Sequence, residues 1–490
     1  MALAFPKTNV VALAPIGAAG LFWAWFGLSP KAAFWSGWLA GTAFFAINFA
    51  WFGETAGALI APFGFFLSLG PAVADALFGF ALPGALTAIA ARALVHPDRR
   101  VRALVPLASA AAFTACEWLR CEGLGPLGVP FASLGYAQIE SPLAPVAAFA
   151  GTYGITLVVC VAGAYAAYVT RMHAVRGAGT DAALTIAAVG VCVALASAFD
   201  PAREAAAPAL RVAAIQGNIA QAVKFTPAAF ALAVSRYEDL TLRAAHDRPA
   251  LVVWPETVMT TPLNANPLLA ARLSRLASLA HTTLVVGTLE VIGKTDYNVL
   301  YVYGPDGALE TVYRKRRLVP FAERLPFAPL LHAIPWTRNV SNFSAGTQDG
   351  IFSAGGARVA PVICWESDFS GLVRGDVRAG ASLIAVATDD AWFGATAGPY
   401  MHAQAAQMRA RESGRWIVRA ASTGISGIVA PDGRFTRASA LGVATFVGGA
   451  VGTPVATPFA RVGAERLTVL YAIAYVAIVA FGRTARRRFS

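Results

Sequence analysis

Charge is what this sequence has least of. Only 13% of its 490 residues are Asp, Glu, Lys or Arg, against about 25% in an ordinary soluble domain. With 57% hydrophobic residues and a mean hydropathy of +0.57, that scarcity excludes a wholly water-soluble protein. Lysine is rarer still, at positions 7, 31, 224, 294 and 315 only, against 34 arginines. Cysteines number five, and four of them (Cys116, Cys121, Cys160, Cys192) fall in or beside apolar runs, leaving Cys364 with no nearby disulfide partner. Zinc-ligand spacings, phosphate-cradling glycine loops, internal repeats and low-complexity linkers are missing, so no metal or organic cofactor is expected. The net charge of +12 is unaccompanied by any zinc-finger, RNP-type or basic-zipper pattern, which argues against a nucleic-acid partner.

What is present is unevenly spread. Residues 9–95 and 103–200 are long and nearly chargeless, whereas residues 205–466 read as a globular domain. Apolar segments of membrane-crossing character lie near Val10–Gly27, Ala32–Trp51, Gly57–Leu69, Ala72–Ala91, Ala103–Leu119, Leu143–Val169, Ala182–Phe199 and Leu467–Gly482. The expected organisation is a transmembrane domain over 1–204 with about seven spans, a globular domain over 205–466, and a last span with a basic tail over 467–490. The first apolar segment runs straight into further spans and reads as retained rather than as a cleaved signal. Short-loop arginines favour the cytoplasm, and three clusters set the orientation: Arg99, Arg100 and Arg102; Arg171 and Arg176; Arg483, Arg486, Arg487 and Arg488. The loop near 120–142 and residues 200–466 then face outside.

In the globular part, short apolar runs rich in β-branched residues alternate with helical stretches. Leu210–Ile219, Leu251–Trp254, Thr283–Thr288, Val359–Cys364 and Ser382–Ala387 read as buried strands, and Gln404–Gly414 as a helix ending at glycine. Gly304-Pro305-Asp306-Gly307 and Pro431-Asp432-Gly433 supply turns. An α/β domain follows.

Three segments carry chemistry, two of them at strand ends. Val359–Ile363 delivers Cys364 into the polar turn Trp365-Glu366-Ser367-Asp368, a seat for a nucleophile with backbone N–H groups nearby; a lone cysteine is equally a core residue, and Pro361 weakens the strand. Leu251-Val252-Val253-Trp254-Pro255 delivers Glu256, either a solvated loop acid or a general base whose pKa burial raises toward neutrality. Lys315 sits inside Tyr313-Arg314-Lys315-Arg316-Arg317-Leu318-Val319-Pro320-Phe321, which is either a lipid-touching basic run or the setting of a chosen ammonium, since Arg would serve charge alone.

Leu251–Glu256, Tyr313–Glu323 and Val362–Glu366 resemble, in order and spacing, the Glu, Lys and Cys segments of the nitrilase superfamily. The membrane-spanning flanks narrow the resemblance to the apolipoprotein N-acyltransferase family. Supporting segments are Ile215-Gln216-Gly217-Asn218, Asp390-Ala391-Trp392-Phe393-Gly394, Thr457-Pro458-Phe459-Ala460-Arg461 and Leu134-Gly135-Tyr136-Ala137-Gln138. The resemblance implies a polytopic α-helical membrane domain joined to a nitrilase-like αββα sandwich. It implies Glu256 as base, Lys315 as oxyanion stabiliser, Cys364 as nucleophile and Glu323 as an additional carboxylate. Trp365 and Glu366 match the positions after the nucleophile, the Trp365 N–H being a candidate oxyanion donor. The implied activity moves a fatty acyl chain from a phospholipid, through a cysteine thioester, to the α-amine of a diacylglyceryl-cysteine apolipoprotein. A membrane-tethered nitrilase-like amidohydrolase is the alternative. The chain departs from the family pattern at Phe225, Ala322, Trp365 and Asp389, and in Val129-Pro130-Phe131. Asp389 places a charge where Asn is usual, next to the nucleophile's neighbouring strand.

Overall fold

The computed structural model describes residues 1–53, 64–96, 98–171, 178–204, 207, 209–328 and 341–487. The chain divides into two compact units, one of Met1–Leu124, Gly128–Asp200 and Thr457–Ser490, the other of Gly125–Leu127 and Pro201–Ala456.

The first unit is helical. Four of its helices, Leu69–Ala93, Ala144–Arg171, Gly179–Glu204 and Ala464–Ala485, are long and apolar enough to cross a membrane. Shorter apolar helices, Leu13–Trp25 and Leu104–Trp118, cover two more of the expected segments, and Pro30–Asn48 covers another, starting where the Ser29 hydroxyl accepts from the Ala32 N–H and Pro30 sets the first turn. Of the expected Gly57–Leu69 span, residues 57–63 lie outside the described residues, as do Arg176 and Arg488. A few buried polar side chains hold the loop after Leu104–Trp118. Arg120 pairs with Asp75 at 3.1 Å and donates to the carbonyls of Val129 (2.6 Å) and Phe131 (3.1 Å), while Glu117 accepts from the Leu134 N–H (2.8 Å) and the Thr156 hydroxyl (2.6 Å). Ionisable groups at such depth persist because each has its partners. The Leu134–Gln138 motif is therefore a scaffolding segment, tied again by Gln138 Nε2 donating to the Val11 carbonyl at 2.9 Å.

The second unit contains two six-stranded sheets. One runs β12-β1-β2-β3-β4-β5 and the other β11-β10-β9-β8-β7-β6. In chain order the strands are β1 Leu210–Gln216, β2 Leu251–Val253, β3 Thr283–Ile292, β4 Thr295–Tyr303, β5 Leu309–Arg314, β6 Phe352–Ala354, β7 Ala357–Ile363, β8 Leu383–Thr388, β9 Trp416–Ala421, β10 Gly427–Val429, β11 Phe435–Ala438 and β12 Thr445–Val451. The centres, β1-β2-β3 and β7-β8-β9, are parallel, and the flanks are antiparallel. Side-chain alternation supplies two apolar faces per sheet. Val212, Val253, Val285, Val359, Ile363 and Val418 fill the space between the sheets. On the outer face of one sheet, Tyr237 and Leu240 of helix Pro227–Ala245 and Leu273 and Leu276 of helix Pro267–Ala280 pack on Trp254 and Val286. On the other, Val373 and Ala410, from helices Ser370–Arg378 and Gly398–Ser413, cover Val362, Val386 and Ile417. The layers are helix, sheet, sheet, helix, as expected.

Pro361 is tolerated inside β7 because β6 pairs only with Ala357–Val359, so at Pro361 that flank carries no strand to receive a hydrogen bond. The helix expected at Gln404 begins earlier, at Gly398, because Pro399 suits a first turn; it ends before Gly414, whose φ of 66° is the left-handed cap glycine favours. The sheet that opens with β1 is closed by β12, register Leu210↔Val451 to Gln216↔Thr445. At the end of β1, Gln216 Nε2 donates to the carbonyls of Ala440 (2.9 Å) and Val443 (3.1 Å), and its Oε1 accepts from the hydroxyls of Ser426 (2.6 Å) and Ser439 (2.8 Å).

Candidate functional site

The site lies where strands of both sheets end. β2 runs through Trp254 and Pro255 to Glu256, β5 passes into Lys315, β7 into Cys364, and β8 into Asp389. The path after β2 is tight: a Cβ on Gly287 of β3 would stand 2.0 Å from the Pro255 carbonyl oxygen, so only glycine admits the Glu256 segment at this depth. Thr257 and Cys364 both adopt left-handed backbone conformations, φ 49° each, sharp exits that take chain out of a strand and into a turn.

Lys315 is buried, 1% exposed, with Nζ 2.9 Å from Glu256 Oε1, 3.0 Å from Glu323 Oε1 and 2.9 Å from Glu323 Oε2. Asn298 of β4 completes the ring, Nδ2 donating to Glu256 Oε1 at 2.7 Å and to Glu323 Oε1 at 2.8 Å. The second oxygen of Glu256 accepts from the Asp389 N–H at 3.0 Å, and that of Glu323 from the Val319 N–H at 2.9 Å. Burial disfavours the charged lysine, but the carboxylates of Glu256 and Glu323 outweigh it and hold Lys315 well above its usual range. Burial pushes the Glu256 carboxyl up; the Lys315 charge and hydrogen bond, the Asn298 amide and the Lys224 charge pull it further down. Glu256 therefore rests below the usual carboxylate range, which corrects the expectation that burial alone raises it toward neutrality. Cys364 is half-buried, and burial together with the Glu256 charge pushes its thiol well above the ordinary 9.0, Lys315 and the Thr388 hydroxyl pulling the other way. The resting state is thus a protonated thiol beside an ionised carboxylate and an ammonium group.

Of the residues singled out in the sequence, Glu256, Lys315 and Glu323 share hydrogen bonds, and Cys364 lies within the electrostatic reach of Glu256 and Lys315. Glu366 lies elsewhere. Fully buried, it accepts from the N–H groups of Arg316 (2.7 Å), Arg317 (3.0 Å) and Ile363 (2.7 Å) and from the Tyr313 hydroxyl (2.7 Å), tying the lysine segment to the Cys364 turn. Trp365 packs its ring edge-on against Phe369 at 5.6 Å.

Sequence reasoning missed Asn298 and Lys224. Asn298 carries no local signal, since its partners are remote in sequence. Lys224 had one, being another of the five lysines: buried, it forms a short ion pair with Asp389, whose other oxygen accepts from the Ser422 hydroxyl at 2.5 Å. The charge at position 389 is thereby matched by a cation.

A helix-covered pair of sheets with Glu, Lys and Cys converging at strand ends defines an enzyme of the carbon–nitrogen hydrolase class, and residues 211–444 match the family model described as Carbon-nitrogen hydrolase. Residues 1–165 match the Apolipoprotein N-acyltransferase N-terminal domain. The Apolipoprotein N-acyltransferase of Azotobacter vinelandii is 33% identical over 83% of this chain and 78% of its own length, and that of Shewanella oneidensis 32% over 89% and 85%. The chain belongs to the apolipoprotein N-acyltransferase family, whose members are acyltransferases. Among solved structures, an amidase from Nesterenkonia sp. aligns over 54% of this chain and 97% of its own, with 18% identity and a TM-score of 0.41, and Saccharomyces cerevisiae Nit3 over 50% and 90%, with 19% and 0.40.

Proposed function

We propose that the chain acylates the N-terminal amine of diacylglyceryl-cysteine lipoproteins, with Cys364 as nucleophile, Glu256 as base, and Lys315 and the Trp365 N–H as oxyanion donors. The observation that carries this reading is the hydrogen-bonded Glu256–Lys315–Glu323 cluster, held within reach of a protonated, half-buried thiol.

In the first half-reaction the Cys364 S–H proton passes to Glu256 as sulfur attacks the ester carbonyl of a phospholipid. The pull that Lys315 exerts on Glu256 makes this transfer uphill until negative charge develops on the substrate oxygen. Protonation of Glu256 removes charge from one partner of the ammonium, leaving Lys315 to turn its field on the oxyanion. Base and electrophile are coupled through one hydrogen bond. Collapse expels the lysophospholipid alkoxide, which takes the proton back from Glu256. In the second half-reaction the lipoprotein amine attacks the thioester, gives a proton through Glu256, and Cys364 leaves as thiol. Glu323 holds the other side of the Lys315 ammonium throughout. Val223, Phe225, Phe321 and Phe327, all exposed, sit on the loops that bear Lys224 and Glu323, apolar surface that suits a lipid donor.

The domain plan completes the reading: spans over 1–204 and 467–490, with the catalytic domain over 205–466 on the periplasmic side, as the arginine clusters support. The test is mass spectrometry of Cys364 after incubation with a defined phospholipid. An acyl thioester should accumulate and be discharged by a diacylglyceryl peptide with a free amine, but not by its N-acetylated form. Rapid hydrolysis to free acid with no effect of the peptide would favour the membrane-tethered amidohydrolase.

A further inference from the structure

Behind the nucleophile's turn lies a second group of buried charges that the reaction above does not use. His402, fully buried on helix Gly398–Ser413, directs Nδ1 at Asp390 Oδ1 (3.0 Å). Its Nε2 faces the backbone carbonyl of Cys364 (3.2 Å), the Ser367 hydroxyl oxygen (3.2 Å) and Asp368 Oδ2 (3.5 Å). A carbonyl oxygen can only accept. The Ser367 hydroxyl donates its own hydrogen to that same carbonyl at 2.8 Å and so presents a lone pair to the ring. Asp390 also accepts from Arg419 Nη2 (2.9 and 3.2 Å) and from the Thr388 hydroxyl (3.0 Å). Both ring nitrogens therefore face acceptors, an arrangement that a neutral imidazole, with one N–H and one lone pair, satisfies only by half.

The charges of the cluster balance when the ring is protonated. The imidazolium and Arg419 stand against Asp390 and Asp368, while Arg409 of the same helix pairs with Glu412 at 2.9 Å and donates to the Asp368 carbonyl. Burial resists the imidazolium, but Asp368 and Asp390 raise His402 above its usual range; burial likewise pushes Asp390 up, yet Arg419 and His402 bring it to about 2.

We propose that His402 is a resident imidazolium whose Nε2–H pins the Cys364–Trp365 peptide and so aims the Trp365 N–H at the oxyanion. This rests on the reading that the Trp365 N–H is an oxyanion donor. A peptide unit is planar, with C=O and N–H directed to opposite sides, so a donor fixed on the oxygen sets the direction of the N–H at the other end. The pin has a strain to hold, because Cys364 sits at φ 49°, a left-handed conformation that a residue with a Cβ rarely adopts. A cation on the carbonyl also polarises the peptide and sharpens its N–H as a donor. His402 is a positioning residue that touches no substrate.

The test separates oxyanion chemistry from thiol chemistry on the full-length protein. Acylation of Cys364 by a p-nitrophenyl fatty ester and by phospholipid passes through an oxyanion. Alkylation by iodoacetamide does not. Both rates are followed by peptide-resolved mass spectrometry. His402→Gln, which can donate to the carbonyl but carries no charge, should lose acylation by about 10- to 100-fold, the lower end of the effect of removing an oxyanion donor, while alkylation keeps its wild-type rate. If both rates fall together, or neither falls, the proposal is overturned. Should His402→Gln fail to fold, Ser367→Ala, which removes the second donor to the same carbonyl, should show a smaller loss of acylation alone; an unchanged acylation rate there overturns the proposal equally. Wild-type protein that is acylated by the p-nitrophenyl ester but never by phospholipid would sink the donor assignment while leaving the His402 comparison intact.

Discussion

Lys315 donates to Glu256 Oε1 and Glu323 Oε1 from a buried ammonium that also lies against Glu323 Oε2, and this geometry governs what any replacement can do. Lys315→Arg keeps the charge, but a planar fork cannot place its donors where a compact ammonium does. Turnover should drop ~10²–10³-fold with the protein still folded, read as acyl-enzyme formation against thermal unfolding. Near-normal activity would restore the view of residues 314–317 as a lipid-touching basic run. The thiol makes a separate prediction. Because burial and Glu256 raise Cys364 above 9.0, its alkylation rate should still be climbing at pH 9.0, with no plateau near neutrality. Glu256 has the opposite sign. Its depressed pKa keeps it ionised down through the ordinary carboxylate range, so the stability it contributes is complete above the unfolded value and is lost only as pH falls through the lower folded one. The acid limb of the acylation rate should therefore have its midpoint below 4.5, the ordinary value for this group. An inflection near neutrality, absent from Glu256→Gln, would show that burial governs this carboxyl after all.

At the level of elements, Glu366 joins two segments that neither sheet ladder connects, accepting from the β5 exit and the β7 exit at once. Glu366→Gln turns an acceptor into a donor facing N–H groups. Each mismatched donor costs about 1–3 kcal/mol, so a lower unfolding temperature and slower acylation should appear together. Gly287→Ala acts from the other side, since its Cβ would meet the Pro255 carbonyl and push Glu256 from the ammonium; overpacking of this kind costs about 1–3 kcal/mol, and acyl transfer should fall further than stability does. Five of the six central parallel strands were legible as apolar runs because both faces of each sheet are covered. The sixth, β9, was not, since Arg419 interrupts its apolar run, nor was β12, Thr-Phe-Val-Gly-Gly-Ala-Val, whose glycines obscure the pattern and whose place is set by β1. Glu256 and Cys364 could be read because each follows a local change from apolar to polar, and Lys315 because lysine is scarce in the chain. The hydrogen bonds of Asn298 and the inward turn of Lys224 could not, for they depend on pairings between segments distant in sequence.

For the whole molecule, the arginine clusters lead to a topology that reporters can check. A fusion after Ser490 should report from the cytoplasm and an insertion near residue 350 from outside; a cytoplasmic signal at 350 would overturn the orientation. The uneven composition made the two-part plan visible, whereas the buried Asp75–Arg120 pair in the helical unit gave no sign of itself, its partners being remote in sequence.

The pairing of β1 with β12 also sets a timetable for synthesis. Within the second unit a nascent chain emits β1 first, yet the strand that covers its edge, and the segment that grips Gln216 just ahead of the Lys224 loop, come at the unit's end. Until residues 426–451 have arrived, the first sheet keeps an open edge. A chain abandoned by the ribosome before that point carries Cys364 on one sheet while the other, which delivers Glu256 and Lys315, still lacks its last strand.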